Sequence, residues 1–132
     1  MIFMKCERCK NIITHLQNSG VIPVCCGEPM QTLVPGAVDG SLEKHVPVIK
    51  EVNGVQDQRF TRIITVEVGE EPHPMIEAHY VQWIILETDR GFYTRYLKPN
   101  DAPKADFVIG PDEEIIVAYA YCNLHGLWCA DL

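Results

Sequence analysis

The sequence predicts a mainly β protein, a small metal-binding module followed by an immunoglobulin-like antiparallel β-sandwich. Three observations point that way. Four of the six cysteines fall early in the chain, as Cys6-x-x-Cys9 and the adjacent pair Cys25-Cys26. The stretch Pro35-Gly36-Ala37-Val38-Asp39-Gly40-Ser41 then has the Gly/Pro/Ser composition of a connector. Beyond it, short β-type runs alternate with turns, and no window of useful length shows helical periodicity.

Residues 1–36 hold only short apolar segments, Asn11 to Leu16 and Gln31 to Val34, with turns at Asn18-Ser19-Gly20 and Gly27-Glu28-Pro29. That is too little apolar mass for a self-sufficient core, so a metal staple or a partner chain is needed. Metal binding is then part of folding. We place the boundary in the connector, with the module at 1–36 and the larger domain at 37–132. In the domain the runs are Val46 to Val52, Phe60 to Val68, Tyr80 to Thr88, Phe92 to Leu97, Ala105 to Ile109 and a last strand ending at Tyr121. Asn53-Gly54 reads as a hairpin turn. Thr65 and Glu67 alternate with Ile64, Val66 and Val68, as a half-buried strand requires. About seven such strands in roughly 95 residues suggest the sandwich, a count that a barrel also satisfies.

The chain has 132 residues, 47% of them hydrophobic, with mean hydropathy −0.02. No apolar run reaches the ~18 residues of a membrane helix. Met1 to Lys5 lead to Cys6 without a charged leader or long apolar core, so we expect no secretory signal and a cytoplasmic location. The net charge of −7 argues against nucleic acid or anionic lipid as partner. It would also repel an anionic substrate, so local positive charge would have to steer one in.

Three disulfides would account for six cysteines, but neighbours such as Cys25 and Cys26 bridge only with strain. In a reducing compartment a CxxC with a further pair reads as metal ligation. Cys6, Cys9, Cys25 and Cys26 supply four soft donors, a set that selects iron or zinc. A structural zinc ribbon is the bland alternative.

A second constellation lies at the other end of the chain. Cys122 and His125 sit three residues apart in the tight loop Cys122-Asn123-Leu124-His125-Gly126, and can meet at one metal. His45, in Glu43-Lys44-His45-Val46-Pro47, and His73 and His79, in Pro72-His73-Pro74 through His79, also lie in loop contexts. His73 and His79 are six apart, which is not the spacing of one helical face, so they must converge through a loop.

These motifs resemble the superoxide reductases of the desulfoferrodoxin type. The resemblance covers nearly the whole chain. Its first part, Lys5-Cys6-Glu7-Arg8-Cys9-Lys10 with Val24-Cys25-Cys26-Gly27-Glu28-Pro29-Met30, resembles desulforedoxin, which implies a redox-active iron held by Cys6, Cys9, Cys25 and Cys26. For the second site it implies a ferrous ion with His45, His73, His79 and His125 equatorial and Cys122 axial. Such a donor set carries a net charge of about +1 and leaves the position opposite sulfur open. Its thiolate pushes electron density onto iron.

The implied activity is one-electron reduction of superoxide to hydrogen peroxide. Lys44 would attract superoxide and order a proton-donating water, and Glu43 would close the site once iron is oxidised. The resemblance also implies rubredoxin or a similar small electron donor, and a homodimer. An electron carrier or redox sensor without turnover is the reading from a different class, and zinc in both sites with a purely structural role is a third. Lys44 beside an open position argues against a pure carrier, which works better with a closed shell. Of the remaining residues, Trp128 is expected to pack under the His125 loop, and Tyr80, Trp83, Tyr119 and Tyr121 to pack along strands. His15 reads as a surface residue, and Cys129 as a free, partly buried thiol.

Overall fold

The structure, a computed structural model, describes residues 1–52 and 61–132. The chain divides into two compact units, Met1–Val34 and Pro35–Leu132. In the first, β1 (Phe3–Lys5) is flanked antiparallel by β2 (Ile12–Thr14), and β3 (Val24–Cys25) pairs with β4 (Glu28–Pro29). The last strand of the unit, β5 (Gln31–Thr32), takes the other side of β1. Its core is Met4, Cys6 and Met30, with Ile13 and Cys25 against them.

The β3–β4 connection is the two residues Cys26 and Gly27, both at positive φ, 52° and 77°. Two left-handed residues in a row are what a two-residue hairpin of type I′ demands, and glycine meets the second at no cost. Cys26 occupies the first as a residue with a Cβ, a placement that costs about 1–2 kcal/mol. A thiol is therefore held in a strained backbone position.

The second unit opens with α1 (Leu42–His45) and β6 (Pro47–Glu51). There follow β7 (Arg62–Val68), β8 (Val81–Thr88), β9 (Gly91–Tyr96), β10 (Lys104–Ile109), β11 (Ile115–Cys122) and β12 (Gly126–Asp131). They form two antiparallel sheets, in the orders β10-β7-β6 and β12-β11-β8-β9. Along β10 every second residue is buried, so Ala105, Phe107 and Ile109 face inward. They join Ile64, Val66 and Val68 of β7 and, from the other sheet, Val81, Ile84, Leu86, Ala118 and Ala120 in one core. Side chains from both sheets in one cluster make this a two-layer sandwich, with each fully buried Ile, Leu, Val or Phe contributing about 1.5–3 kcal/mol.

Three details differ from the sequence reading. A short helix, α1, carries Glu43, Lys44 and His45; four residues span too little of a period to register as helical. Strand β12 follows Tyr121 and Cys122, where the reading ended its last strand. His15, read as a surface residue, is half-buried with Nε2 3.3 Å from Met4 Sδ. The Asn53-Gly54 turn and the start of the Phe60 run fall outside the described residues. Among those described, no helix is long and apolar enough to cross a membrane.

Candidate metal centres

In the first unit the sulfurs of Cys6, Cys9, Cys25 and Cys26 all lie within 4.8 Å of one another, and all are free thiols. The Cys6–Cys9 turn closes through Lys10 N–H to Cys6 O at 2.9 Å, with Lys10 itself at φ 66°. Cys9 Sγ then lies 3.6 Å from Cys25 Sγ. The backbone N–H of Cys9, and next that of Arg8, hold the Cys6 thiol down at about 7. Its neighbours pay the opposite way: hydrogen bonding to Cys9 and Cys6 pushes Cys26 up to about 12. Four thiolates this close repel one another unless a cation sits among them. A metal ion that accepts four sulfurs fits this group.

In the second unit the ligand atoms of His45, His73, His79 and Cys122 likewise fall within 4.8 Å of one another. His125 joins them, with Nδ1 2.9 Å from His45 Nε2 and 3.7 Å from Cys122 Sγ. The five donors arrive on four pieces of chain, and each piece has an identifiable fixing.

His45 ends α1, where its ring donates Nδ1–H to Ser41 O at 2.7 Å. A carbonyl can only accept, so the proton is on Nδ1 and the Nε2 lone pair is free to bind. The turn that carries α1 is seated by Gly69, at φ 85°, whose missing Cβ would lie 2.3 Å from Glu71 O and 2.7 Å from both Glu43 O and Lys44 Cα. Only glycine permits that approach. It lets Glu71 N–H reach Glu43 O at 3.0 Å and Gly69 N–H reach Val46 O at 3.2 Å, tying α1 to the segment that leads to His73.

His73 repeats the pattern of His45, donating Nδ1–H to Pro74 O at 2.6 Å. His79 stands on a small loop closed by reciprocal backbone hydrogen bonds with Ile76, at 3.0 and 3.1 Å. The β11–β12 hairpin supplies Cys122 and His125, closing at Gly126 with φ 72°. A register shift between Tyr121 and Cys122 breaks the β8–β11 ladder at this end, the kind of irregularity that accompanies functional sites. Trp128 lies behind the group: its ring is 4.9 Å from that of His45, and its Nε1–H donates to His125 O at 3.0 Å. Gly40 makes room, since a Cβ there would meet Trp128 Cζ2 at 3.0 Å and His45 Cε1 at 3.3 Å.

The donors fit a metal. Nε2 of His73 and of His79 are buried without a hydrogen-bond partner, a costly state for a lone pair unless something accepts it. Burial holds the His45, His73 and His79 rings below the usual histidine range, His73 down to about 4, so these three are neutral near pH 7 and able to ligate. Burial raises the Cys122 thiol, against the pull of the His125 and Leu124 amides, so a metal binding there must displace a proton. Glu43 is exposed and Lys44 half-buried, both on α1 and outside the donor group itself.

Comparison with known proteins decides the family. The desulfoferrodoxin family profile matches residues 37–131. The chain belongs to the desulfoferrodoxin family. It is 47% identical over 128 residues to the desulfoferrodoxin of Nitratidesulfovibrio vulgaris, covering 96% of this chain and 93% of that one. It is 34% identical over 114 residues to a superoxide reductase of Thermococcus kodakarensis, covering 74% and 91%. The crystal structure of the superoxide reductase from Treponema pallidum superposes with a TM-score of 0.76 at 29% identity, over 98% of each chain. The four-sulfur group and the imidazole–thiolate group match the two iron centres of a desulfoferrodoxin.

Several residues that shape this desulfoferrodoxin site escaped the sequence reading: Gly40, Gly69, the Ser41 carbonyl and the Asn123 side chain. Asn123 registered only as a loop former. Its position between two donors in a hairpin was the available signal, since Asn in such loops often bonds neighbouring backbone.

Proposed function

We propose that this desulfoferrodoxin is a superoxide reductase, in which superoxide, one electron and two protons give hydrogen peroxide at the imidazole–thiolate centre. The observation that carries the reading is the donor set, with buried, unpartnered Nε2 atoms on His73 and His79 beside the buried Cys122 sulfur. His45, His73, His79, His125 and Cys122 would hold iron there, which supplies the transferred electron. The Ser41 and Pro74 carbonyls lock His45 and His73 in the tautomer that presents Nε2. The Cys122 thiolate makes the centre electron-rich.

Lys44 draws superoxide toward a chain that is otherwise acidic and delivers a proton through water, and Glu43 is the anion that closes the centre after turnover. Cys6, Cys9, Cys25 and Cys26 would hold a second iron in the 1–36 module, with 37–132 as the catalytic domain. The electron comes from rubredoxin or a similar small donor. Exposed Leu16, Val21, Ile22 and Val24 on so small a module support a homodimer. Six free thiols fit the reducing cytoplasm.

The test is product stoichiometry. Reduced protein mixed anaerobically with superoxide should yield one hydrogen peroxide per superoxide and no dioxygen. Evolution of dioxygen, or no consumption of superoxide, would remove the reading.

A further inference from the structure

His79 differs from the other imidazoles in what holds it. His45 and His73 are each fixed through Nδ1 to a backbone carbonyl. No hydrogen bond reaches a ring nitrogen of His79 among the described residues, and its Nε2 is buried. Its loop has only the Ile76–His79 bridge as internal structure. Apart from edge-on contacts with the His73 and His125 rings, at centroid distances of 4.7 and 5.0 Å, the ring is placed by what holds the backbone around it.

That backbone is held by Asn123. Its Nδ2–H donates to Ala78 O at 3.0 Å, and its Oδ1 accepts from Tyr80 N–H at 2.9 Å. Its own backbone N–H donates to Tyr80 O at 3.2 Å. The two side-chain bonds grip the peptides on either side of His79, and the backbone bond grips the peptide that follows. A side chain that donates and accepts in one plane is required, and at this length only the asparagine amide does both. Because Asn123 lies between Cys122 and His125, the grip ties the His79 loop to the hairpin bearing two other donors.

We infer that Asn123 is the positioning residue for His79. Through the Ala78 and Tyr80 peptides it sets the His79 ring, whose centroid is 5.0 Å from that of His125, against the hairpin donors. The inference rests on the metal centre proposed above. Its consequence is separable from activity, because outer partners of metal ligands govern affinity and coordination geometry.

The experiment titrates metal-free, full-length protein with cobalt(II) against a competing chelator, reading visible bands that separate a four-sulfur site from an imidazole–thiolate site. Asn123→Ala should weaken the imidazole–thiolate site about 10- to 100-fold and shift its bands, leaving the four-sulfur site unchanged. His79→Ala should weaken the same site, and adding Asn123→Ala to it should cause no further loss, because the ring being positioned is gone. Additive losses would overturn the inference. So would unchanged affinity and bands in Asn123→Ala while the wild type fills both sites. A wild type that fills only the four-sulfur site would overturn the proposed centre and this inference with it. Should Asn123→Ala fail to fold, Asn123→Asp, isosteric but lacking the donor to Ala78, is read by its band shift in the same way.

Discussion

Nε2 of His45 and Nδ1 of His125 lie 2.9 Å apart, though 80 positions of chain separate the two residues. His45 donates its Nδ1–H to Ser41 O, which leaves its Nε2 lone pair facing His125 Nδ1. The two nitrogens are thus placed as neighbouring donors of one site. Neutral imidazoles ligate without releasing a proton. The Cys122 thiol, raised by burial, must lose its own. Protein whose four-sulfur site is already loaded should release about one proton per metal bound at pH 7, as read with a pH-indicator dye. Cys122→Ser should release none.

Burial keeps His73 neutral down to about pH 4, whereas in the unfolded chain it protonates near 6.5. Between those values the unfolded state binds the extra proton, so stability rises with pH and is lost as pH falls from about 6.5 toward 4. Urea unfolding of metal-free protein across this window should show that loss. His73→Gln should lessen the dependence, leaving the part that His45 and His79, also held low by burial, contribute.

Gly20 and Gly69 share nearly the same φ, 84° and 85°, but differ in what surrounds them. A Cβ at Gly20 meets nothing within 4 Å, so Gly20→Ala should cost only the backbone strain, about 1 kcal/mol. At Gly69 it would collide with Glu71 O, Glu43 O and Lys44 Cα, all main chain. Gly69→Ala should cost about 1–3 kcal/mol beyond that strain, and should also weaken metal binding by displacing α1 and His45. Chemical denaturation with metal analysis compares the two variants.

Lys44 is half-buried on α1 in a chain of net charge −7. If it steers superoxide, Lys44→Ala should slow the bimolecular step about tenfold at low salt and weaken its dependence on ionic strength. Iron content should stay intact, because Lys44 lies outside the donor group. Rapid mixing at several salt concentrations measures this, and an unchanged rate would remove Lys44 from the mechanism.

The donors were legible because their chemistry is carried by side-chain identity. Cysteine and histidine in loops beside Pro and Gly mark a metal site whatever the backbone does, and alternating runs mark strands. What supports the donors was harder to see. Ser41 acts through a carbonyl that every residue possesses, so nothing in its identity announces it. Gly40 and Gly69 act through atoms they lack, and a sequence does not say which glycine has a neighbour at van der Waals distance. Helix α1 is too short to show a period. Strand β12 was hidden because Cys122 to Trp128 reads as a metal loop, when the loop is the turn of a hairpin whose second strand carries Trp128 back behind His45.

The most direct measurement is the visible spectrum, on titration with superoxide, of protein prepared anaerobically with the four-thiolate iron oxidised and the second site reduced. The account predicts a thiolate-to-iron band from the second site that grows in proportion to superoxide added and is missing in Cys122→Ser, beside the separate bands of an oxidised four-thiolate iron. An iron-loaded protein whose spectrum does not respond to superoxide, or responds equally in Cys122→Ser, would contradict it.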